Sequence, residues 1–317
     1  MYGNKKIGVV VPAYNEETQI EHTIRTMPDY VDRIIVIDDR SEDRTAEIVR
    51  RLEKEDSRVL LIRHEENGGV GKAIGTGYIW CRDNDMDIAV VMAGDGQMDP
   101  DDMPGLLDPV VEDRADYTKG NRLITGEAWK KIPKVRYLGN SVLTFLTKIA
   151  SGYWHVTDSQ TGYTALNRKG LHLLPLEDIY PRYGMPNDFL VTCNIYNMRV
   201  MDVPIKPVYD IGEKSGIRIT KVLFSLPALL IRLFLRRMVQ KYVIRDFHPL
   251  VMFYALGFIL LLADIPLVVR LIIGWISDGF VPPMTAMTIL FCTIMGMQSI
   301  LFAMLFDMEA NRSLKGD

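Results

Sequence analysis

Two long apolar runs near the C-terminal end of the chain, at residues 249–276 and 284–306, limit its fold more than any other feature. A helix needs about 20 mostly apolar residues to cross about 30 Å of hydrocarbon, and each run is long enough to do so. The second run contains no charged residue, and the first contains only Asp264 and Arg270. The sequence therefore predicts two transmembrane helices behind a more polar N-terminal part.

Basic residues before the first run predict how this hairpin is oriented. Residues 221–245 include six Lys or Arg and no Asp or Glu, whereas the connector 277–283 carries only Asp278. Such a bias favours the cytoplasmic side, and the interleaved Leu, Phe and Arg are typical of an interfacial amphipathic helix. We expect a cytoplasmic domain at 1–219, interfacial helices at 220–246, and a transmembrane hairpin with a short cytoplasmic tail at 247–317.

Asp264 is an acidic residue inside the first predicted span. A charge at that depth is costly and usually finds a partner, so we expect a contact with another helix or subunit rather than a catalytic role. The transmembrane helices are accordingly a possible homo-oligomer interface.

Length and composition limit the folds and functions that are open to the rest of the chain. A chain of 317 residues can hold one α/β domain plus a membrane appendage. A net charge of −3 argues against general nucleic-acid binding. The three cysteines show no paired spacing, which suggests neither a disulfide framework nor a zinc site. The N-terminus has too short an apolar stretch for a secretory signal, so we expect the first domain to stay in the cytoplasm.

Strand and helix patterns alternate through the first part of the chain. Strands are predicted at 6–11, 33–37, 59–62 and 88–92, and helices at 15–27, 41–55, 70–82 and 102–112. This alternation predicts a Rossmann-like α/β domain with parallel strands. Ligands bind beyond the carboxyl ends of such strands, where the polar segments 14–16, 38–39, 67–72 and 94–97 fall. After residue 120 the pattern is less regular, with helices near 135–151 and 187–197 and a strand near 200–205.

Two motifs identify a family resemblance. The segments V-V-V-P-A-Y-N-E-E from Val9 and V-I-D-D-R-S-E-D-R-T from Val36 resemble the start of inverting family 2 glycosyltransferases with a GT-A fold. With the C-terminal anchor, the chain resembles their polyprenyl-phosphate branch, represented by dolichol-phosphate mannose synthase. The resemblance implies an enzyme that transfers a sugar from a nucleotide-sugar donor to polyprenyl or dolichyl phosphate at the cytoplasmic membrane face.

The resemblance also implies a nucleotide-sugar site, formed by Pro12, Tyr14, Glu16, Asp39, Lys72 and Asp95. Asp39 and Glu16 follow strands and can accept hydrogen bonds from a base or ribose; the alternative is that each caps a helix. The loop 67–71 contains three glycines ahead of a helix, so its N–H groups are candidates to face phosphate or ribose. Such loops are also common without a ligand.

A-G-D-G-Q at 93–97 ends an apolar strand at the expected metal site. Mg²⁺ or Mn²⁺ suits a diphosphate leaving group, because these ions bind one or two carboxylates plus phosphate oxygens. Asp95 and Gln97 match the second carboxylate and the glutamine of the D-x-D-x-Q pattern of the mannose synthases. Ala93 replaces the first carboxylate, which leaves one protein ligand fewer. The alternative for Asp95 is an ordinary turn residue.

Basic residues are predicted to handle the substrate phosphates. Arg122 in K-G-N-R matches an arginine that the family uses near the sugar phosphate, and Arg136 lies on a helix toward the membrane side. Lys214 and Arg218 fall where family members carry basic residues near the diphosphate or lipid phosphate. Arginine binds phosphate through its planar fork. Any one of these residues can alternatively be a solvated surface group.

Two further acids are catalytic candidates, beside Asp95 and Arg122. Asp158 in D-S-Q-T-G-Y resembles the D-x-x-x-G-F motif of the branch, with Thr164 where an arginine is usual. Asp188 lies near the place where family 2 enzymes with hydroxyl acceptors keep a base. A phosphate monoester has a second pKa of about 6 and is already largely ionised, so a phosphate acceptor does not require that base.

The departure at Ala93 favours UDP-N-acetylglucosamine or UDP-glucose as donor, with GDP-mannose as the alternative. A processive polysaccharide synthase is disfavoured because no glutamine of the chain begins a Q-x-x-R-W motif. A non-catalytic membrane-bound binding protein is disfavoured because Asp95 and Gln97 are both present.

Overall fold

The structure is a computed structural model that describes residues 1–124, 134–206 and 219–316. The chain divides into a first unit, Met1–Leu235 together with Ser313–Asp317, and a second unit, Arg236–Arg312. The predicted boundaries of three functional segments stay a prediction.

The first unit is built on one sheet of seven strands in the order β3-β2-β1-β4-β6-β5-β7. The strands are β1 Ile7–Ala13, β2 Arg33–Asp38, β3 Val59–Arg63, β4 Ile88–Val91, β5 Tyr117–Asn121, β6 Thr164–Asn167 and β7 Val200–Pro204. The helices described in this unit are α1 Ile20–Arg25, α2 Thr45–Glu55, α3 Val70–Asp83, α4 Met103–Val111, α5 Lys134–Ser151, α6 Arg168–Leu173, α7 Met185–Ile195 and α8 Ile219–Val239, of which the residues from Arg236 belong to the second unit. This confirms the predicted α/β class.

The predicted strands β1 to β4 pair in parallel, as expected, but the sheet also contains an antiparallel strand that was not predicted. β1 pairs in parallel with β2 and β4, but β6 is antiparallel to both β4 and β5. The sequence analysis missed β5 and β6; β5 contains Lys119 and Asn121, which do not read as parts of a buried strand. Helix α1 is also shorter than predicted, since residues 15–19 form turns and α1 begins at Ile20.

Side chains of the central strands enter two cores, one on each face of the sheet. Val9 and Val11 of β1 lie in one core, and Val10 lies in the other. Strands buried on both faces read as continuous apolar runs, which explains why β1 and β2 were recognisable from sequence. A third, smaller cluster joins α5, α7 and α8 through Ala150, Val191, Ile195, Leu230 and Leu233.

The chain end also belongs to the first unit. Lys315 forms a parallel bridge with Val200 of β7, and the Gly316 N–H donates to the Val200 carbonyl at 3.0 Å. Leu314 lies in the core beside β7. The tail after the apolar hairpin therefore adds to the outer edge of the sheet.

The second unit contains the two predicted apolar helices, α9 Leu250–Asp278 and α10 Pro283–Ala310. Both are long and apolar enough to cross a membrane, and most of their surface is exposed. Thr293 Oγ1 donates to Asp264 Oδ2 at 2.7 Å, so Asp264 makes the predicted contact with a neighbouring helix. Close approach of Gly257 to Gly296 fixes a second contact, because a Cβ at Gly257 would lie 2.9 Å from the Gly296 carbonyl oxygen.

Candidate active site

The predicted site residues gather where β1, β2 and β4 end. The Asp39 N–H donates to the Ala13 carbonyl at 2.9 Å and the Gly94 N–H donates to the Pro12 carbonyl at 3.1 Å, so the segments after these strands stay side by side. This arrangement brings Tyr14, Asp39 and Asp95 to the carboxyl edge of the sheet, where open α/β sheets bind ligands. Pro12 itself is buried in β1.

The two adjacent aspartates after β2, Asp38 and Asp39, make different contacts. Asp38 is fully buried; its Oδ2 forms an ion pair with Arg63 Nε at 2.9 Å, and its Oδ1 accepts from the Ser41 N–H at 3.0 Å. Asp38 therefore holds the turn that follows β2. The side chain of Asp39 turns toward the glycine loop instead.

Asp39 accepts three hydrogen bonds from the segment after β3. His64 Nδ1 lies 2.8 Å from Oδ1, the Gly68 N–H donates to Oδ1 at 2.8 Å, and the Gly69 N–H donates to Oδ2 at 2.7 Å. An ionised carboxylate offers about four acceptor positions. These contacts leave Asp39 Oδ2 with the capacity for one more hydrogen bond, and His64, which sequence analysis did not identify, helps to hold the carboxylate in place.

The glycine loop does not present its N–H groups to a ligand as expected. Asp39 takes the N–H groups of Gly68 and Gly69, and the Pro181 carbonyl accepts those of Gly71 at 2.9 Å and Lys72 at 3.3 Å. The expectation was wrong because protein acceptors already satisfy these donors. The Lys72 side chain is exposed in the first turn of α3, and its role in donor binding stays a prediction.

A polar cleft of about 540 Å³ opens beside this loop; it is lined by Tyr14, Arg40, Glu42, Glu65, Glu66 and Asn67. Three glutamates and an asparagine supply many acceptors, which suits the hydroxyl and N–H groups of a nucleoside. Arg40 donates to the Glu65 carbonyl and so links the turn after β2 to the wall of the cleft. Only Tyr14 of the predicted nucleotide residues lines it directly.

Glu16 and Asp95 influence each other electrostatically. Burial raises the pKa of Glu16 to about 7, and the negative charges of Asp95 and Asp43 add to this effect. Asp95 Oδ1 also accepts the Gln97 N–H at 3.0 Å, which holds the turn after β4. The described residues contain no group of three or more His, Cys, Asp or Glu side chains that could by itself hold a metal ion. One carboxylate, one amide oxygen and the nearby Glu16 are hard oxygen donors that fit Mg²⁺ or Mn²⁺ when a diphosphate completes the coordination.

Arg122 and Asp158 form a two-point ion pair. Arg122 Nε lies 2.8 Å from Asp158 Oδ2, and Nη2 lies 3.1 Å from Oδ1. Burial alone would raise the pKa of Asp158, but the hydrogen bonds and charge of Arg122 hold the pKa of this carboxyl below its ordinary value. Asp158 is almost fully buried and Arg122 is partly exposed, so Asp158 orients a guanidinium that still reaches the surface.

The loop that carries Asp158 is pinned on both sides by side chains from β5 and β7. Asp202 accepts from the Thr157 N–H at 2.7 Å and from Asn121 Nδ2 at 2.6 Å. On the other side, the buried ammonium of Lys119 donates to the Thr161 carbonyl. Burial lowers the pKa of Lys119 to about 8, while Asp158 and Asp202 oppose that fall. The sequence signal was the set of polar residues in K-G-N-R, which reads as a loop although Lys119, Gly120 and Asn121 form the end of β5.

A second cleft of about 450 Å³ begins directly after Arg122; it is lined by Leu123, Ile124, Ser141, Thr144, Phe145, Lys148 and Thr157. Its walls combine apolar side chains with one lysine. Such walls suit a molecule that has both an apolar part and an anionic group.

The remaining predicted site residues are Asp188, Arg136, Lys214 and Arg218. Asp188 is buried in the first turn of α7, and its Oδ2 accepts from the Tyr180 N–H at 3.0 Å, so it holds the loop whose Pro181 carbonyl caps α3. Its catalytic role stays a prediction. Lys214 and Arg218 lie outside the described residues, as does the side chain of Arg136.

The family profile described as "Glycosyl transferase family 2" matches residues 8–174. That match covers β1 to β6 and includes Tyr14, Asp39, Asp95, Arg122 and Asp158. The chain belongs to glycosyl transferase family 2. The predicted family and the enzyme class, a glycosyltransferase, are thereby confirmed.

Relatives within this family cover most of the chain. The UDP-N-acetylglucosamine–dolichyl-phosphate N-acetylglucosaminyltransferase of Methanococcus voltae is 33% identical over 235 residues, which are 70% of this chain and 92% of that protein. The undecaprenyl-phosphate mannosyltransferase of Micrococcus luteus is 27% identical over 214 residues, 66% of this chain and 87% of that protein. Both relatives act on a polyprenyl-type phosphate, as their names state. The predicted resemblance to the polyprenyl-phosphate branch of the family is therefore confirmed.

Solved structures agree on the fold. Glucosyl-3-phosphoglycerate synthase from Mycobacterium tuberculosis, in complex with Mn²⁺, UDP and phosphoglyceric acid, superposes with a TM-score of 0.54 over 74% of this chain and 78% of that chain, at 20% identity. At this identity the likeness shows the fold alone, and it confirms the GT-A architecture.

Proposed function

We propose that this glycosyltransferase transfers N-acetylglucosamine from UDP-N-acetylglucosamine to a polyprenyl or dolichyl phosphate, with inversion at the anomeric carbon. The observation that carries the proposal is the 33% identity to the Methanococcus voltae enzyme, which extends over 92% of that protein. The polar cleft beside Asp39 and the apolar cleft beside Arg122 suit the two substrates, a nucleotide sugar and an amphipathic phosphate.

In the proposed step a phosphate oxygen of the acceptor attacks the anomeric carbon, and the bond from that carbon to the UDP oxygen breaks. The products are a sugar phosphodiester and UDP, and no proton has to be removed because the acceptor is already ionised. Arg122, oriented by Asp158, offsets the repulsion between the two anionic substrates as they approach. This role requires no general base, in keeping with the structural contact that Asp188 makes.

Asp95 and Gln97 would hold a divalent cation. Glu16 lies close enough for the negative charge of Asp95 to raise its pKa. When bound, Mg²⁺ or Mn²⁺ offsets charge on the diphosphate leaving group. The protein supplies few ligands here because Ala93 has no donor side chain. We therefore expect the cation to bind together with the nucleotide rather than before it.

A mannosyl or glucosyl transfer is the second candidate. The undecaprenyl-phosphate mannosyltransferase of Micrococcus luteus matches 66% of this chain, although at 27% identity. A dolichyl-phosphate β-glucosyltransferase of Trichomonas vaginalis is 23% identical over 63% of this chain. The lower identity and coverage of these relatives favour N-acetylglucosamine.

We also propose that the catalytic unit faces the cytoplasm and that the hairpin crosses the membrane twice. Residues before the hairpin, up to Leu235, and after it, from Ser313, belong to the same unit. The tail pairs with Val200 of β7, which supports a chain that returns to the side of the membrane from which it left. The excess of basic residues in 221–245 supports the cytoplasmic side.

The test is a transfer assay with the full chain in detergent, using radiolabelled UDP-N-acetylglucosamine, UDP-glucose and GDP-mannose with a polyprenyl phosphate. We expect labelled lipid from UDP-N-acetylglucosamine that mild acid releases, and no product with the matched polyprenyl alcohol. Excess chelator and Asp95→Ala should each abolish transfer while the variant stays folded. Transfer to the alcohol alone, or full activity in chelator, would overturn the acceptor or the cation assignment respectively.

A further inference from the structure

A short segment after the apolar hairpin, residues 314–316, packs on the first unit; we call it the tail segment. Leu314 is 7% exposed and lies in the hydrophobic core that also contains Val200 of β7. Lys315 forms a parallel bridge with Val200, and the Gly316 N–H donates to the Val200 carbonyl at 3.0 Å. All three residues of the tail segment therefore contact β7 or the core beside it.

Gly316 fits against the sheet because it has no side chain. A Cβ atom at this position would lie 2.9 Å from the Met201 Cβ, 3.1 Å from the Ala115 Cβ and 3.1 Å from the Arg114 carbonyl oxygen. These neighbours are backbone or the first atom of a side chain, so they cannot rotate away, and overpacking of this kind is destabilising. We therefore expect a larger residue at 316 to displace the tail segment from β7, which gives a local way to undock it.

The Val200 carbonyl joins the tail segment to a second segment of the chain. β7 lies at the end of the strand order, where it pairs with β5, and an edge strand presents backbone groups for further pairing. The Val200 carbonyl accepts the Gly316 N–H and also accepts from His155 Nε2 at 2.9 Å. His155 lies three residues before Asp158. One carbonyl at the edge of the sheet thus holds both the tail segment and the segment that leads to Asp158.

β7 also holds the residues beside the Arg122–Asp158 ion pair. Asp202 of β7 accepts from the Thr157 N–H at 2.7 Å and from Asn121 Nδ2 at 2.6 Å. Thr157 directly precedes Asp158, and Asn121 directly precedes Arg122. Asp202 therefore pins both segments that the ion pair joins, and a shift of β7 would change the distance between them.

We infer that the tail segment is a positioning element for Arg122. It covers the edge of β7 at Val200, and so holds this strand where Asp202 fixes the segments that carry Arg122 and Asp158. The inference rests on the proposed function, because it takes Arg122 to be the group that aligns the acceptor phosphate. The tail segment does not have to reach a substrate for this role, since it acts only through β7.

Undocking of the tail segment should separate acceptor use from donor binding. Asp39 and the polar cleft follow β2 and β3, which lie at the opposite end of the strand order from β7. Arg122 directly follows β5, the neighbour of β7. Displacement of a positioned group by about 1 Å can cost about 100-fold in rate. We therefore expect a loss in the transfer step with no loss in UDP affinity.

The test compares Gly316→Val with Ser313→Val in the full chain in detergent. Ser313 is exposed in the same part of the chain, so a valine there is the matched control. Gly316→Val should lower kcat/KM for a polyprenyl phosphate by about 10- to 100-fold and leave the UDP dissociation constant within about twofold of wild type. Ser313→Val should change neither. Wild-type kcat/KM for Gly316→Val would overturn the inference, and so would an equal loss of UDP affinity.

Hydrogen exchange tests the structural link whether or not transfer is observed. In Gly316→Val the amides of the tail segment and of Thr157 should exchange faster than in wild type, because Thr157 loses the acceptor that Asp202 provides. Amides of β1 should exchange as in wild type, which shows that the variant is folded. If wild-type chain transfers no sugar, the proposed function fails while this measurement still decides the link. Unchanged exchange at Thr157 would show that the tail segment does not act through β7, and the inference would be wrong.

The contact through His155 provides an independent pair of variants. His155→Gln keeps an N–H donor for the Val200 carbonyl, whereas His155→Leu fills the space without a donor. We expect His155→Leu to lower kcat/KM as Gly316→Val does, and His155→Gln to retain most of the wild-type value, with unchanged UDP affinity in both. A side chain that only fills space would give the two variants similar activities, and that result would contradict the role of the Val200 carbonyl as the joint between the two segments.

Discussion

Arg122 and Asp158 meet through two parallel hydrogen bonds, Nε to Oδ2 at 2.8 Å and Nη2 to Oδ1 at 3.1 Å. The two residues lie on different segments, one just after β5 and one in the loop before β6. This geometry fixes the plane of the guanidinium, which is what two-point recognition of a phosphate requires. Asp158 thus orients the Arg122 side chain, and we expect any effect of Asp158 on catalysis to act through Arg122.

Asp158→Asn should lower kcat/KM by about 10- to 100-fold, because Arg122 loses the charged partner that fixes its guanidinium plane, and a charged hydrogen bond is worth about 1.5–3 kcal/mol. Steady-state kinetics with the polyprenyl phosphate measures this. Asp85→Asn is the control, since it breaks an exposed ion pair with Arg168 and should leave kcat/KM unchanged. Equal activity of Asp158→Asn and wild-type enzyme would contradict the role.

Lys119 should affect catalysis through Arg122. Arg122→Lys keeps the charge but loses the planar fork, and Lys119→Met removes the ammonium that pins the Thr161 carbonyl. Because both changes disturb one network, we expect the double variant to lose less in log kcat/KM than the sum of the single losses. UDP affinity, measured by calorimetry, should stay near the wild-type value in all three. Additive losses would mean that Lys119 only stabilises the fold.

Donor binding should distinguish the adjacent aspartates after β2. Asp39→Asn removes an acceptor from Gly68 or Gly69 and should weaken UDP binding by about tenfold or more, as loss of a charged hydrogen bond costs about 1.5–3 kcal/mol. Asp38→Asn breaks the ion pair with Arg63. It should lower the melting temperature more than Asp39→Asn does, and it should weaken UDP binding less. Calorimetric titration and thermal unfolding together measure the split. The reverse pattern would exchange the two roles.

The pKa of Glu16 predicts a pH-dependent stability. Its pKa is raised from 4.5 to about 7, so the folded chain binds this proton more tightly than the unfolded chain. The stabilisation is complete below about pH 4.5 and is lost as pH rises through about 7. Without divalent cations, Glu16→Gln should therefore gain melting temperature relative to wild type from pH 5 to pH 8. Glu47→Gln, an exposed control on α2, should follow wild type throughout, and parallel curves for Glu16→Gln would refute the prediction.

The second unit should depend on one buried ion pair. Arg237 contacts Asp307 at 2.7 and 2.9 Å, and the Tyr242 hydroxyl donates to the same carboxylate at 2.7 Å. Both charged side chains are fully buried, so Asp307→Asn should cost about 3–5 kcal/mol of the free energy of unfolding.

Thermal unfolding in detergent tests this expectation, with Glu309→Gln as the control on the same helix. Glu309 pairs at 3.7 Å with Arg312, and both side chains are largely exposed. Such a pair contributes about 0–1 kcal/mol, so the control should melt like wild type. A similar melting temperature for both variants would show that the buried pair contributes little.

Local patterns in the sequence determined much of the architecture. β1 to β4, the helices between them and the two membrane-length helices follow from apolar runs and helical spacing, because each element buries or exposes a contiguous stretch of its own residues. The motif residues Tyr14, Asp39 and Asp95 lie at one edge of the sheet, as predicted, since all three follow strands that pair in parallel.

Tertiary structure alone decided which groups meet. Lys119 and Asn121 occupy a buried strand because Thr161, Thr157 and Asp202 satisfy them across long sequence separations. The glycine loop turns its N–H groups toward Asp39 and the Pro181 carbonyl instead of a ligand. Sequence spacing reports the period of an element but not its distant partners, and buried polar groups are stable only where such partners arrive.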